Sequence, residues 1–225
     1  KKVIVFGLGG VGGNCVDALA RSGIMNFTLV DNDEVNITNI NRQLIANNDT
    51  IGVNKVDCWK ERILQINPQA NVVSLNMFID STNINTLYEL KFDYLVDAID
   101  TSQSKLLLYK LGIDKQASII SSMGTANKLD PSLVYKTTLN KTEGDKLAKK
   151  MRMLCKEASI DTKSIIVVTS KEEPLTNLTN LLPSCVNVPL AAGNLISNII
   201  LKDILKKENK HGEEGHSQMV LGLGV

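Results

Sequence analysis

Within Lys2-Val3-Ile4-Val5-Phe6, the four residues after Lys2 are an unbroken apolar run rich in β-branched residues, and glycines crowd in behind it from Gly7 to Gly13. Such a run reads as a strand buried on both faces of a parallel sheet. From Asn14 to Ser22 the apolar positions Cys15, Val16 and Leu19, with Ala18 and Ala20, recur at helical spacing, and Gly23 stands where a helix-ending glycine belongs. Phe27 to Val30 is a second strand run, closed by Asp31. Residues 32–54 are polar and irregular, long for a connection in a compact domain, which marks them as a functional loop. Val56 to Ile66 is an amphipathic helix stopped at Asn67-Pro68, and strand runs follow at Val72 to Leu75, Tyr94 to Ala98 and Ser118 to Ser122. Helical segments from Asn83 to Leu90 and from Ser104 to Lys115 separate them.

Strands alternating with helices over the first 122 residues predict an α/β fold with a doubly wound, mostly parallel, Rossmann-like sheet. After Gly124 the rhythm changes. Leu133 to Leu139 and Ile165 to Thr169 read as strands flanking a basic helix from Asp145 to Glu157, a β-rich extension of the same sheet or a small subdomain. Asn187 to Lys207 is the final amphipathic helix. The chain divides accordingly into a nucleotide-binding part at 1–124, a C-terminal extension of the same domain at 125–205 and a polar tail at 206–225.

At 225 residues the chain has room for one large domain, and 43% hydrophobic residues suffice for a sizeable core, which excludes disordered and fibrous classes. A net charge of +1 gives no whole-molecule field to recruit nucleic acid or membrane, so any such partner needs a local patch. The cysteines at 15, 58, 155 and 185 form no Cys-x-x-Cys pair, so neither zinc nor a disulfide framework is signalled, and a reducing, cytoplasmic location is expected. No unbroken apolar run approaches a membrane span and no signal peptide opens the chain, so no membrane partner is expected. The chain opens on Lys1 within a strand run, so a preceding stretch is expected.

Gly7-Leu8-Gly9-Gly10-Val11-Gly12 matches G-x-G-x-x-G between a strand and a helix. Gly7, Gly9, Gly10 and Gly12 then permit a tight turn that brings phosphate oxygens against backbone N–H groups at a helix N-terminus. Asp31 ends the second strand 19 residues beyond Gly12, where a carboxylate can accept ribose hydroxyls. A dinucleotide needs little more, because its pyrophosphate is never broken. This chain adds Asn39-Ile40-Asn41-Arg42-Gln43 after the strand, Lys55 near the next helix and Asp97-Ala98-Ile99-Asp100 at the end of the fourth strand. Arg42 and Lys55 can neutralise a triphosphate while a bond in it breaks, and Asp100 can hold the Mg2+ that bridges its oxygens. Singly, Arg42 and Lys55 are also ordinary surface charges and Asp100 an ordinary helix N-cap. Cys155 and Cys185 can be read as catalytic thiols, but no histidine stands near them in sequence.

Taken together, the glycine loop, Asp31-x-Asp33, Asn39-x-Asn41-Arg42-Gln43, Gly52-x-x-Lys55, Ile66-Asn67-Pro68 and Asp97-x-x-Asp100 resemble the ubiquitin-activating, ThiF and MoeB superfamily of ATP-dependent adenylating enzymes. The resemblance implies that Asp31 and Asp33 belong to the nucleotide site, with Asp31 on the ribose. It puts Asn39, Arg42 and Lys55 on the phosphates and Asp100 on the magnesium. Members that activate carrier proteins commonly have two Cys-x-x-Cys pairs or a catalytic-cysteine domain, and this chain has neither. Ser122-Met123-Gly124, Lys141-Thr142-x-x-Asp145, Glu172-Glu173-Pro174 and Val188-Pro189-x-Ala191-Ala192-Gly193 instead resemble the tRNA threonylcarbamoyladenosine dehydratase family. Lys146 departs from it by standing where a proline is usual. That family implies a ligase using ATP and Mg2+, which adenylates the threonyl carboxylate of the modified nucleoside in tRNA and closes a ring with release of AMP. It further implies a homodimer, in which an N-terminal helix absent here completes the neighbouring site, and a possible sulfur-transfer protein partner. The alternatives are an adenylyltransferase for a sulfur-carrier or ubiquitin-like protein and an NAD-dependent oxidoreductase. Between Lys128 and Lys163, nine basic residues against five acidic ones form a local patch suited to RNA, with Lys146, Lys149, Lys150 and Arg152 at its centre.

Overall fold

The computed structural model describes residues 1–174 and 185–212. Strand β1 (Lys2–Phe6) leads through the glycine loop into α1 (Gly10–Arg21), followed by β2 (Asn26–Asp31), α2 (Lys55–Ile66) and β3 (Asn71–Asn76). Then come β4 (Tyr94–Asp97), α3 (Ser102–Asp114), β5 (Ser118–Ser122), β6 (Val134–Thr138), α4 (Lys146–Glu157), β7 (Ile166–Ser170) and α5 (Asn187–Gly212). The segment expected as a helix near Asn83 is a 3-10 helix, Ile84–Glu89, which buries only Ile84 and Leu87. Two inward side chains in six residues do not supply the apolar stripe an α-helix needs to dock.

All seven strands form one sheet in the order β3-β2-β1-β4-β5-β7-β6. Every pair is parallel except β6 with β7. The extension after Gly124 therefore adds two strands to the first sheet and, among the described residues, builds no separate one. The order reverses between β1 and β4, a switch point where a crevice opens beyond the carboxyl ends of the strands.

Period-two alternation in β1 explains why both sides of the sheet are covered. Val3 and Val5 face a core made with α1, α2 and α5, while Ile4 and Phe6 face one made with α3 and α4. Helix α5 is the one helix among the described residues long and apolar enough to cross a bilayer, but it packs along α1 with Ala192, Ile196 and Ile200 buried. The close approach needs Gly193, where a side-chain carbon would collide with the Val11 carbonyl oxygen and lie 2.8 Å from Asn14 Cβ. Tyr94 donates to Asp203 (2.8 Å) and Lys207 pairs with the same carboxylate (2.6 Å), which anchors the helix to β4 just before the segment assigned to a polar tail, and the helix runs on to Gly212. Residues 213–225 lie outside the described residues.

Candidate functional site

A cavity of about 560 Å³ occupies the switch point, within the range of a nucleotide-sized pocket. Gly7, Gly9 and Gly10 floor it, Asp31 and Asp33 come from the end of β2, Asn39, Arg42 and Gln43 from the long loop, Lys55 from the start of α2 and Asp100 from beyond β4. Gly7 has φ +82°, and a side-chain carbon there would lie 2.6 Å from the Ala98 carbonyl oxygen, so only glycine fits where the loop crosses the β4 end. Gly12 does not line the cavity. A carbon at that position would collide with the Gly7 carbonyl oxygen, so its absence lets α1 pack against the loop and the residue is a packing element.

Asp31 accepts from the Leu8 N–H (2.6 Å) and the Asp33 N–H (2.8 Å), so it pins the glycine loop to β2. Each carboxylate oxygen retains lone-pair capacity for a ribose hydroxyl. Asp33 is placed differently from a simple nucleotide contact: its Oδ2 pairs with Lys55 Nζ at 2.6 Å. Lys55 is only 5% exposed, and the pair holds its ammonium at the cavity wall. A neighbouring cleft of about 430 Å³ shares Asp33, Asn39 and Lys55, so these three form the partition between the two spaces.

The loop that carries Asn39 and Arg42 is organised by its own side chains. Asn36 caps a short 3-10 helix, Ile37–Asn39, and the Asn39 carboxamide oxygen accepts the Asn36 N–H (3.0 Å) in return. Arg42 Nη1 donates to the Thr38 carbonyl (2.8 Å) and Asn41 Oδ1 (2.9 Å), which fixes the guanidinium in the wall and leaves its remaining donors for anions. Asp100 is not a helix cap: Thr101 holds that position for α3, and Asp100 stays exposed in the cavity, accepting from the Thr101 hydroxyl at 3.3 Å. No cluster of three or more metal-ligating side chains exists among the described residues. A magnesium site built from one carboxylate and the phosphates of a bound nucleotide fits this donor set.

Sequence reasoning passed over three features of the site. Gln43 is 6% exposed, and its Oε1 has no hydrogen-bond partner among the described residues. Its place in the Asn39-to-Gln43 run was the available signal. Pro189, at the start of α5, closes over Gly10, whose added carbon would stand 3.0 Å from Pro189 Cβ. Beneath the floor lies a buried ion pair: Lys105 Nζ donates to Asp97 Oδ2 (2.9 Å) and the Ser122 carbonyl (2.8 Å), and Ser121 Oγ donates to the same Asp97 oxygen (2.5 Å). It ties the ends of β4 and β5 together. No cysteine lines the cavity. Burial raises the thiols of Cys15, Cys58 and Cys155, the last to about 11, so these stay protonated at neutral pH. Cys185 donates weakly to the Lys128 carbonyl at 3.5 Å.

Residues 1–217 match the ThiF family model. The tRNA threonylcarbamoyladenosine dehydratase of Bacillus subtilis is 37% identical over 221 residues, 91% of this chain and 87% of that protein. The structure of the Escherichia coli tRNA N6-threonylcarbamoyladenosine dehydratase TcdA in complex with ATP superposes with a TM-score of 0.87 at 30% identity, covering 94% of this chain and 88% of that one. Its complex with AMP gives the same TM-score and covers 93% and 87%.

Proposed function

Because the chain belongs to the ThiF family, we propose that its cavity binds ATP and that the protein is an ATP-dependent tRNA threonylcarbamoyladenosine dehydratase. The single observation that carries this reading is the convergence of Arg42, Lys55 and Asp100 on the glycine-loop cavity, for which a nicotinamide dinucleotide has no use. Asp31 takes the ribose, the N–H groups at the start of α1 take phosphate oxygens, and Arg42 and Lys55 neutralise charge on the triphosphate. Asp100 would hold Mg2+, which when bound would supply Lewis-acid charge neutralisation at the phosphates.

The threonyl carboxylate oxygen attacks the α-phosphorus, the bond to the β-phosphate oxygen breaks and pyrophosphate leaves. The urea group of the same nucleoside then attacks the acyl carbon, its proton is lost, the acyl–phosphate bond breaks and AMP departs as the ring closes. The second step is intramolecular, so the nucleophile is already beside the activated carbonyl and no enzyme thiol is required. Buried, protonated Cys155 accords with that economy. The protein acts in the cytoplasm on tRNA as a homodimer, and a sulfur-transfer protein is a further candidate partner.

Mass spectrometry of tRNA nucleosides after incubation with protein and Mg-ATP tests the reading. Loss of one water from threonylcarbamoyladenosine, with stoichiometric AMP, is the expected result. Conversion of a carrier-protein C-terminus to its adenylate with no change in tRNA would overturn it.

A further inference from the structure

Helix α4 carries five basic residues among twelve and a single carboxylate, Glu157, at its last position. Ala148, Met151, Leu154 and Cys155 are buried, and that stripe turns Lys146, Lys149, Lys150 and Lys156 outward, where all four are exposed. None of the four side-chain ammonium groups makes an ion pair or hydrogen bond among the described residues. Within the helix no carboxylate stands three or four positions from any of the four, the ordinary way to balance such a face. Asp145, four before Lys149, is buried and taken up by other donors, and Glu143, three before Lys146, lies outside the helix and makes no ion pair among the described residues. Arg152, expected with the lysines, is committed elsewhere: its Nη1 donates to the Thr142 carbonyl at 2.9 Å and to the Thr142 hydroxyl.

The place of this helix matters as much as its charge. Its N-cap, Asp145, is buried and accepts the Ala148 N–H (2.9 Å), the Thr169 hydroxyl (3.0 Å) and the Gly124 N–H (3.0 Å). Gly124 adjoins Thr125 and Ala126, which line the cavity. The unpaired lysines thus begin beside the cavity wall and are fixed to it through one carboxylate. From Lys146 to Lys156 the helix rises about 15 Å, long enough to meet several successive phosphates of a nucleic-acid strand.

We propose that the exposed face of α4 is the track on which the phosphodiester backbone of the RNA substrate lies, leading up to the cavity. The proposal rests on the tRNA reading above and adds the surface that delivers the nucleoside. A base acted on in a loop is splayed into its pocket while neighbouring phosphates are held outside, which asks for a cationic surface adjoining the pocket. An acidic protein partner fits less well, because Met153 is the only large apolar side chain exposed on the helix and a protein interface needs an apolar centre.

The test is a full-length protein in which Lys146, Lys149, Lys150 and Lys156 are all replaced by alanine, beside one in which all four become arginine. The alanine variant should bind tRNA at least tenfold more weakly at low salt, and its log–log salt slope should fall by about 0.7–0.9 for each phosphate no longer neutralised. ATP affinity and melting temperature should match wild type, and the arginine variant should bind tRNA normally. Unchanged tRNA affinity and salt slope in the alanine variant, with wild-type protein that converts tRNA, overturns the track alone. Wild-type protein that neither binds nor converts tRNA, while the alanine variant loses binding to an acidic protein, overturns the tRNA reading as well.

Discussion

Asp100 illustrates how little a residue type says until its neighbours are placed. A carboxylate just ahead of a helical run reads as a cap in the sequence, yet here Thr101 occupies the cap position and Asp100 looks into the cavity. Asp100→Asn removes charge and keeps shape. ATP affinity by calorimetry should therefore stay within about tenfold, or about 1.4 kcal/mol. Turnover should fall by on the order of a hundredfold or more, because the missing interaction serves charge that develops in the transition state. Near-normal turnover at saturating magnesium would make Asp100 only part of the wall. Gly12 and Asp33 teach the complementary lesson. Both belong to a nucleotide motif, but one packs a helix and the other holds Lys55.

At the level of elements, the register of β4 and β5 is locked by Lys105, which reaches from α3 to Asp97 with neither side chain exposed to solvent. Removing one member of a buried pair strands the other charge, at a cost of about 3–5 kcal/mol. Lys105→Met should show this in urea unfolding, and the double replacement of Asp97 by Leu with Lys105 by Met should be less destabilising than the single one. Equal losses in the two variants would mean that the pair contributes through packing alone. Element boundaries were legible where periodicity was strong, as in β1, α2 and α4, whereas α1 begins at Gly10, four residues before the apolar period at Asn14, because its first turn is mostly glycine. The Ile84–Glu89 segment read as an ordinary helix because a short apolar pattern does not separate a 3-10 turn from an α-helix.

For the molecule as a whole, ligand binding to the native state alone must raise stability by mass action. At a hundred times its dissociation constant, Mg-ATP should add about 2.7 kcal/mol. For a chain of this size that corresponds to a rise of roughly 5–10 °C in melting temperature by calorimetry. NAD at millimolar concentration should give no shift, and an equal shift with NAD would contradict the assignment of Arg42, Lys55 and Asp100 to a triphosphate. Net charge of +1 hides the anisotropy on which the RNA track depends, since the unpaired lysines sit together on one helix.

The sequence by itself determined the alternation of strands and helices, the glycine loop and the set of polar residues at successive strand ends. Each is encoded locally, by the period of apolar positions or by a residue type that a tight turn demands. The Asn39-to-Gln43 run even contained Gln43, whose burial no local pattern could reveal. Only the tertiary structure decided which partners those residues took. Lys55 meets Asp33 from 22 residues away, Lys105 joins two strand ends, Pro189 closes the glycine loop from the far end of the chain, and Asp145 fastens α4 to the cavity. Such pairings follow from how the sheet winds about its switch point, and chain separation carries no record of them.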